Sequence, residues 1–463
     1  MAASQLTLVL GLGESGLAMA RWLARQGVPL RVADSRETPP GVERIRQDAP
    51  AAEVCSGPFA ESLLAGVARL AISPGLDPRQ PLVVEARRRG IPVVGEMDLL
   101  VEALDALGVR SGTRIIAITG TNGKTTTTAL AGEMARATGV DAVVAGNISP
   151  AALDVVMTRQ DAGQALPDVW VLELSSFQLE TGPALNAAAA TVLNVTDDHL
   201  DRYAGLADYA ATKAAVFQGQ GVQVLNRQDR RVTEMARPGR RVWTFGLDAP
   251  AGSNDFGVVD TPEGRWLVRG DERLLRWDEM QLAGSHNVAN ALAALALGEA
   301  AGLPRAPMIA ALKVFPGLPH RVEKVAERGD GVIYYDDSKG TNVGATVAAL
   351  EGLSRKVFLV VGGDGKGQDF SPLKEAFARY ARAVVLIGRD ARTIEAAVAG
   401  CGVPLIHAAD MDAAVRAANA RAEAGDVVLL SPACASLDMF RNYAHRAQVF
   451  IDAVLRLPGV HPA

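Results

Sequence analysis

The 463-residue chain has little cysteine, few aromatic residues and no excess of positive charge. Its three cysteines, Cys55, Cys401 and Cys434, are too few and too scattered for a disulfide framework or a C-x-x-C metal site. This favours a reducing compartment, the cytoplasm. Aromatic residues make up 5% of the chain and its net charge is −5, so the sequence offers neither stacking platforms nor a basic stripe. A nucleic-acid partner is therefore not expected.

Long hydrophobic runs are also lacking, and no stretch of about 18 apolar residues predicts membrane insertion. The amino-terminal segment up to Leu10 has no basic stretch before its apolar residues and continues into a glycine turn. We therefore expect a first strand there and not a signal peptide. What the chain does have is 49% hydrophobic residues. Its length suggests about three globular domains of roughly 100–200 residues each, in a monomer by default.

Alternating strand and helix patterns predict three α/β domains in series, over residues 1–110, 111–317 and 318–463. The first is predicted to be Rossmann-like. The second is predicted to be a P-loop ATPase-like parallel sheet with an antiparallel flank over residues 222–279. The third is predicted to be a second Rossmann-like, doubly wound sheet. Its predicted strands are 332–335, 357–361, 383–387, 404–406 and 427–430.

The strongest local signal is a glycine-rich loop between a predicted strand and a predicted helix. Its residues are Gly120, Thr121, Asn122, Gly123, Lys124, Thr125 and Thr126. Backbone N–H groups of such a loop can cradle phosphates, a lysine can neutralise them, and a hydroxyl can hold Mg²⁺. A full P-loop pattern would have glycine where this chain has Ile118. The alternative is an ordinary turn with a surface lysine.

Acidic residues and a histidine follow two later strands of the same domain. Glu173 ends one predicted strand, and Asp197, Asp198 and His199 follow the next. Parallel strands bring such residues to one edge of a sheet, together with the phosphate loop. Oxygen ligands suit Mg²⁺, so a metal-phosphate centre is predicted. Taken singly, each residue could also be a capping or solvated side chain.

The first domain carries the spacing of a dinucleotide fingerprint, GLGESG followed by Asp34 about twenty residues later. The same turn can bind a nicotinamide cofactor, bind the diphosphate of another nucleotide, or serve only as a tight turn. These three alternatives stay open at this point.

Polar clusters in the second half of the chain suggest further ligand contacts. Asn287 and Asn290 could reach an adenine or a phosphate, or could cap a helix. Arg321 lies at a domain junction, where it could reach a transferring phosphate. Lys339 and Lys366 follow predicted strands, which is typical of a pocket for an anionic small molecule.

Eight motifs occur in the order that one enzyme family requires. They are ITGTNGKTT, LELSSFQLE, TDDHLDRY, GSHNVAN, FPGLPHR, DDSKGTN, GGDGKG and SPACASLDMF. Across essentially its whole length the chain resembles the Mur ligases, the ATP-dependent amide-forming enzymes of peptidoglycan precursor synthesis. Several motifs are shared with folate-glutamate ligases, whereas DDSKGTN, GGDGK and SPACASLD discriminate better. Family members that add L-alanine usually have histidine at the position of Asn122.

The resemblance implies a ligase that joins D-glutamate to UDP-N-acetylmuramoyl-L-alanine through an acyl phosphate, using ATP and two Mg²⁺ ions. It implies that the three domains bind the UDP-sugar, ATP and the amino acid, in that order. Lys124, His199, Lys213 and Lys339 match catalytic positions. The phosphate loop matches the family's ATP-contacting positions, and so do Asn287, Asn290, Arg321 and Asp337. Four residues match the family's metal-ligand positions: Thr125, Glu173, His199 and Lys213, the last as a carbamate.

The remaining matches concern the two other substrates. The UDP-substrate site matches Ser15, Asp34, Ser35, Arg36, Ser73, Pro74, Gly75, Asn147 and His199. The D-glutamate site matches Thr341, Lys366, Ser436 and Tyr443, the last commonly Phe in the family. Closure of the domains is expected at a hinge near residues 315–318.

Three rival functions remain to be tested. A folate-glutamate ligase would use a different amino-acid acceptor. A silent sugar-nucleotide sensor would bind nucleotide without turnover. A dehydrogenase would bind a nicotinamide dinucleotide at GLGESG.

Overall fold

Three β-sheets, each with helices between its strands, follow one another along the chain. This is the α/β fold class that the sequence predicts. The structure is a computed structural model that describes residues 6–199, 202–282, 284–353 and 355–463. Residues 1–5 of the amino-terminal segment, and Leu200 and Asp201 of the TDDHLDRY motif, lie outside the described residues.

The first sheet has five parallel strands. Its elements are β1 (Leu6–Leu10), α1 (Glu14–Arg25), β2 (Leu30–Asp34), α2 (Val42–Asp48), β3 (Glu53–Ser56), β4 (Val67–Ile72), α3 (Pro81–Arg88), β5 (Val93–Val94) and α4 (Glu96–Ala106). The strand order is β3-β2-β1-β4-β5, with β1 paired to β2 and β4. The order reverses on either side of β1, so the loop after β1 opens at a switch point where such sheets bind ligands. This confirms the Rossmann-like prediction.

The central sheet has nine strands. Its elements are β6 (Arg114–Thr119), α5 (Lys124–Ala137), β7 (Ala142–Gly146), α6 (Ala152–Asp161), β8 (Val169–Glu173), α7 (Ser176–Leu179), β9 (Ala189–Val192), α8 (Leu206–Ala214), β10 (Val222–Asn226), α9 (Arg230–Thr233), β11 (Val242–Phe245), β12 (Asp255–Thr261), β13 (Gly264–Arg269), β14 (Glu272–Arg276), α10 (Ser285–Ala300) and α11 (Arg305–Val314).

The strand order of this sheet is β14-β13-β12-β11-β10-β9-β6-β8-β7. The predicted antiparallel flank is present, but it is narrower than residues 222–279. Strands β10, β11 and β12 still join in parallel, and the antiparallel pairs are β12 with β13 and β13 with β14. The two-residue turn between β12 and β13 permits a hairpin, whereas the longer links before β11 and β12 allow parallel crossovers.

The third sheet has seven strands. Its elements are β15 (Glu323–Arg328), β16 (Ile333–Asp336), α12 (Val343–Leu353), β17 (Val357–Gly362), α13 (Leu373–Tyr380), β18 (Ala381–Ile387), α14 (Ala391–Ala397), β19 (Leu405–His407), α15 (Met411–Asn419), β20 (Val427–Leu430), α16 (Tyr443–Leu455) and β21 (Val460–Pro462). The order is β19-β18-β17-β20-β16-β15-β21. The five predicted strands form its parallel part. Strands β15 and β21 were not predicted, and both pair antiparallel at one edge.

A continuous apolar core joins the first sheet to the central one. Helices α1 and α4 pack against α6, and Met19, Leu100 and Leu153 are fully or almost fully buried within one cluster. Burying each such side chain contributes about 1.5–3 kcal/mol. The two sheets are therefore held together by core-like packing.

No helix within the described ranges is both long and apolar enough to cross a bilayer.

The turn after β1 depends on a close backbone approach at Gly16. A Cβ atom added there would lie 1.8 Å from the carbonyl oxygen of Gly11, and neither backbone can yield easily. At Gly13 the nearest atom to an added Cβ is the Ser73 hydroxyl oxygen, 4.0 Å away, and φ is −77°. The two glycines thus differ sharply in their tolerance of a methyl group.

Gly16→Ala is expected to destabilise the chain by about 2 kcal/mol or more, because the methyl group overpacks the turn. Gly13→Ala is the matched control and should leave stability almost unchanged. The measurement is the midpoint of urea unfolding of the full chain. Equal midpoints for the two variants would contradict the described packing of the turn.

Candidate active site

A cleft of about 700 Å³ lies between the central and third sheets. It opens at the carboxyl ends of β6 and β8, where open parallel sheets bind ligands. Fifteen of the predicted site residues line it: Thr121, Asn122, Gly123, Lys124, Thr125, Thr126, Asn147, Glu173, Asn287, Asn290, Arg321, Asp337, Lys339, Thr341 and Tyr443. The structure therefore brings residues from widely separated motifs to one place.

Two glycines of the phosphate loop have positive φ angles, which other residues rarely adopt. Gly120 has φ of 153° and Gly123 has φ of 82°. A Cβ atom at Gly123 would lie 2.4 Å from the Asn290 side-chain oxygen, so the loop and the start of α10 need glycine there. Helix α5 begins at Lys124, and its positive end and free N–H groups face the cleft.

Asn194 holds the loop in place, a role that the sequence analysis missed. Its side-chain oxygen accepts from the N–H of Asn122 at 2.8 Å, and its amide nitrogen donates to the carbonyl of Asn122 at 3.1 Å. The N–H of Thr121 donates to the carbonyl of Asn194 at 2.9 Å. Asn194 lies two residues beyond β9, so the strand-end rule that selected Asp198 could also have found it.

Three cationic side chains converge on this loop from two sheets. Lys124 Nζ donates to the carbonyls of Gly120 and Thr121 at 2.9 and 2.7 Å. Arg321 donates to the Thr125 hydroxyl at 2.8 Å. Burial lowers the pKa of Lys124, Arg321 and Lys339, and the charge of Arg321 lowers the pKa of both lysines further. Such a cluster favours a ligand with several negative charges.

The carboxylate of Glu173 meets the requirements of a hard cation. One of its oxygens accepts from the Asn147 amide at 2.9 Å. The other is buried and has no hydrogen-bond partner among the described residues. Asp198 and the Thr125 hydroxyl line the same cleft. Oxygen donors with an uncommitted carboxylate atom fit Mg²⁺, so the residues present suit the ion.

Lys213 lies beneath the phosphate loop, outside the cleft lining. It is 1% exposed, and its Nζ donates to the carbonyl of Gly120 at 3.0 Å. The ammonium group also lies 4.4 Å from the centre of the Tyr209 ring. Burial lowers the pKa of Lys213 well below its usual range, and the nearby charge of Lys124 lowers it further. The neutral amine therefore forms more readily than in a surface lysine.

Among the described residues, His199 is outside the cleft lining. Its side chain is 42% exposed, and its ring centre lies 4.7 Å from that of Phe177. Its Nε2 is 3.7 Å from a carboxylate oxygen of Asp198, which does line the cleft. The structure thus places His199 beside the predicted metal centre but not within it.

The third sheet reaches the phosphate loop through a strained turn before β15. His320 and Val322 have φ of 63° and 51°, on either side of Arg321. The turn is held because His320 Nδ1 lies 2.6 Å from a carboxylate oxygen of Asp336. The N–H of Lys339 donates to the carbonyl of His320 at 3.1 Å. These contacts, which the sequence analysis missed, place Arg321 on the loop.

Asn342 and Asp337 lie on this side of the cleft. Asn342 donates to the side-chain oxygen of Asn122 at 3.2 Å, a second link between the sheets. Burial raises the pKa of Asp337 to about 7, although a hydrogen bond from Ser431 and the charge of Arg321 oppose the rise. Asp337 is therefore a carboxyl group that can exist in both forms near neutrality.

Only two of the four predicted D-glutamate residues line the cleft in the described structure. Thr341 and Tyr443 do so, and Lys339 Nζ lies 3.8 Å from the centre of the Tyr443 ring. Ser436 is 4% exposed, and Lys366 is exposed with φ of 51°. The latter two lie on loops of the third sheet away from the cleft lining.

The first-sheet residues also lie outside this cleft. Asp34 ends β2 and accepts three hydrogen bonds from Arg36, which with the N–H of Leu12 hold the pKa of Asp34 down at about 2. Ser73, at the end of β4, packs against Gly11 of the first turn. Of the other predicted residues, Ser35, Pro74 and Gly75 belong to these same strand-end loops, and Ser15 lies at the start of α1. They form a group of their own at the switch point of the first sheet.

Three family models match the chain in succession. They are described as Mur ligase MurD-like, N-terminal domain, over residues 5–95, Mur ligase middle domain over residues 118–298, and Mur ligase, glutamate ligase domain, over residues 320–434. The chain belongs to the Mur ligase family.

Two relatives and one solved structure are similar to the chain. Proteins named UDP-N-acetylmuramoylalanine--D-glutamate ligase from Aromatoleum aromaticum and Dechloromonas aromatica are 66% and 57% identical to it. The alignments cover 98% and 96% of this chain and 97% of each relative. The solved structure of UDP-N-acetylmuramate-alanine ligase from Thermotoga maritima is 18% identical, with a TM-score of 0.54 over 97% of this chain and 98% of that one. That likeness concerns the fold.

Proposed function

We propose that this chain forms an amide bond between the carboxylate of UDP-N-acetylmuramoyl-L-alanine and the amine of D-glutamate, converting ATP to ADP and phosphate. The observation that carries the proposal is the cleft, since it combines a phosphate loop with basic residues from a second sheet. The choice of substrates is supported by the 66% identity to a relative whose name states them.

The reaction has two steps. A carboxylate oxygen of the sugar nucleotide attacks the γ-phosphorus of ATP, and the bond from that phosphorus to ADP breaks. The amine of D-glutamate then attacks the acyl carbon and loses a proton, while phosphate leaves with one of the carboxylate oxygens. The chain contributes mainly position and charge neutralisation. Lys124, Arg321 and Lys339 neutralise the charge of the transferring phosphoryl group, because all three line the same cleft.

The nucleotide and the metal ions use the central sheet. The loop from Gly120 to Thr126 holds the phosphates, and Asn287, Asn290 and Asp337 contact the rest of ATP. Thr125 and Glu173 hold one Mg²⁺, and His199 with the carbamate of Lys213 holds a second. When bound, the ions neutralise phosphate charge and polarise the phosphoryl oxygens. The uncommitted Glu173 oxygen supports the first site.

The other substrates use the outer sheets. UDP contacts belong to the switch-point group of the first sheet, and Asn147 and His199 face the sugar side. The members of that group are Ser15, Asp34, Ser35, Arg36, Ser73, Pro74 and Gly75. D-glutamate contacts belong to Thr341, Lys366, Ser436 and Tyr443. Because Lys366 and Ser436 of the third sheet lie outside the cleft, closure about residues 315–318 completes the D-glutamate site. The domains are 1–110, 111–317 and 318–463, in a cytoplasmic monomer.

Phosphate release by the purified chain tests the proposal. With ATP, Mg²⁺ and UDP-N-acetylmuramoyl-L-alanine, turnover is expected with D-glutamate and not with L-glutamate, L-alanine or meso-diaminopimelate. The reason is that the third-sheet pocket must present the amine of one amino acid to the acyl carbon.

Other outcomes separate the rivals. Turnover with a different amino acid would keep the mechanism and refute the acceptor. Nucleotide binding without phosphate release under any combination would favour the sensor, and binding of a nicotinamide dinucleotide would favour the dehydrogenase.

The carbamate on Lys213 has a physical basis in this structure. Only an uncharged amine attacks carbon dioxide, and the buried Lys213 favours that form. The product carries a negative charge next to Lys124, which offsets the buried positive charge. It also supplies oxygen ligands where the unmodified lysine supplies none.

Lys213→Ala is expected to lower kcat at least 100-fold, because a metal ligand is lost, and added acetate or formate should restore part of the activity. Lys124→Ala is the matched control; it should also be inactive, but small carboxylates should not restore it. Native turnover of Lys213→Ala, or equal rescue of both variants, would refute the carbamate role.

A further inference from the structure

Glu96 is a buried carboxylate at the junction of the first and central sheets. It is the first residue of α4 and is 2% exposed. Its carboxylate accepts from the N–H of Leu153 at 3.4 Å, and the N–H of Ala152 and the hydroxyl of Ser15 also face it. Its second oxygen is buried without a hydrogen-bond partner among the described residues. The side chain therefore contacts α1 of the first sheet and α6 of the central sheet at once.

The two helices that Glu96 joins lead to opposite ends of the sugar-nucleotide site. Ser15, at the start of α1, belongs to the nucleotide end. Helix α6 follows the loop that carries Asn147, whose amide donates to Glu173 in the cleft. Within that loop the Ser149 hydroxyl donates to Glu14 at 2.6 Å, a second contact between the same segments. The relative position of the two ends thus depends on this junction.

The contacts from the first N–H groups of α6 offset only part of the cost of burying the Glu96 carboxylate, since its pKa is raised overall. No basic side chain pairs with it among the described residues, and a buried carboxylate with an unsatisfied oxygen destabilises a fold. Glu96 also borders a small cavity of about 10 Å³, the size of one water molecule, together with Ser73 and Pro74 of the predicted UDP site. A residue that costs stability at this place points to a role in binding.

We propose that Glu96 is a positioning residue that couples the nucleotide end of the sugar-nucleotide site to its sugar end by holding the starts of α1 and α6 on one carboxylate. This inference rests on the proposed function, since it takes UDP-N-acetylmuramoyl-L-alanine as the ligand. Glu96 and the first residues of α1 and α6 that it joins do not line the cleft that holds the phosphate loop. Its effect is therefore specific to the sugar nucleotide.

The coupling depends on the ionised carboxylate, because a charged acceptor holds the surrounding N–H and O–H donors more strongly than a protonated carboxyl, which also carries a donor of its own. Burial raises the pKa of Glu96 to about 7. The charged group that acts on Glu96 is Asp154 on α6, which raises the pKa further. Asp154 is in turn paired with Arg21 on α1 at 2.8 Å and is also influenced by the charge of Glu14. Binding of the sugar nucleotide by the native chain should therefore tighten as pH rises through about 7.

Direct binding of UDP-N-acetylmuramoyl-L-alanine and of ATP to the full chain tests the proposal. Glu96→Ala should weaken sugar-nucleotide binding about 10-fold, within the usual range of coupling between sites, and change ATP binding less than about 2-fold. Glu96→Gln, which keeps the shape and one acceptor, should bind at an intermediate level that no longer tightens between about pH 6 and 8. Glu102→Gln on the exposed part of the same helix is the control and should match the native chain.

Three results would contradict the proposed coupling by Glu96. Native-like affinity and an unchanged pH profile for folded Glu96→Gln would overturn the coupling and leave Glu96 a structural residue. Equal weakening of both ligands by Glu96→Ala would also overturn it. Failure of the native chain to bind the sugar nucleotide at all would refute the proposed function itself, and this inference with it.

Discussion

The crowding of basic side chains at the phosphate loop is the constraint on which the rest of the structure depends. Lys124 and Lys213 approach the carbonyl of Gly120 from two helices, and Arg321 reaches the same loop from the third sheet. Burial lowers the pKa of all three groups. The charge of Arg321 lowers the pKa of Lys124 further, and the charge of Lys124 does the same to Lys213, so the cluster is costly without an anion. A polyphosphate supplies the missing negative charge. The binding of ATP and the approach of the third sheet are thereby linked through one electrostatic balance.

The fold brings these basic side chains together because strand ends from two sheets surround a single cleft. The loop after β6 and the carboxylate that ends β8 come from the central sheet, while a strained turn delivers Arg321 from the third. The first sheet is attached differently. Its core is continuous with the central one, and its switch-point loops lie outside the cleft. This arrangement suits a long substrate whose nucleotide is held at a distance from its reacting carboxylate.

Local signals predicted much of this arrangement, because phosphate loops and strand ends carry their chemistry in short segments. The loop at Lys124 and the carboxylate of Glu173 could be found in that way. The edge strands β15 and β21 could not, since their pairing joins distant, partly charged segments and leaves no strong periodicity. The burial of Lys213 could not be predicted from the sequence either. Its helix is amphipathic in an ordinary way, and only tertiary packing beneath Gly120 distinguishes it from a surface lysine. Asn194 and Glu96 act through such contacts as well.

The central claim is that the cleft transfers a phosphoryl group to a carboxylate and not to water. Its most direct test uses UDP-N-acetylmuramoyl-L-alanine with both carboxylate oxygens labelled with the heavy isotope ¹⁸O, under turnover with ATP and D-glutamate. An acyl phosphate requires that the released phosphate carry one labelled oxygen and that the amide product keep the other. Mass spectrometry of the phosphate should therefore show one label per amide formed. Unlabelled phosphate would contradict the account, because the phosphoryl group would then have passed to water.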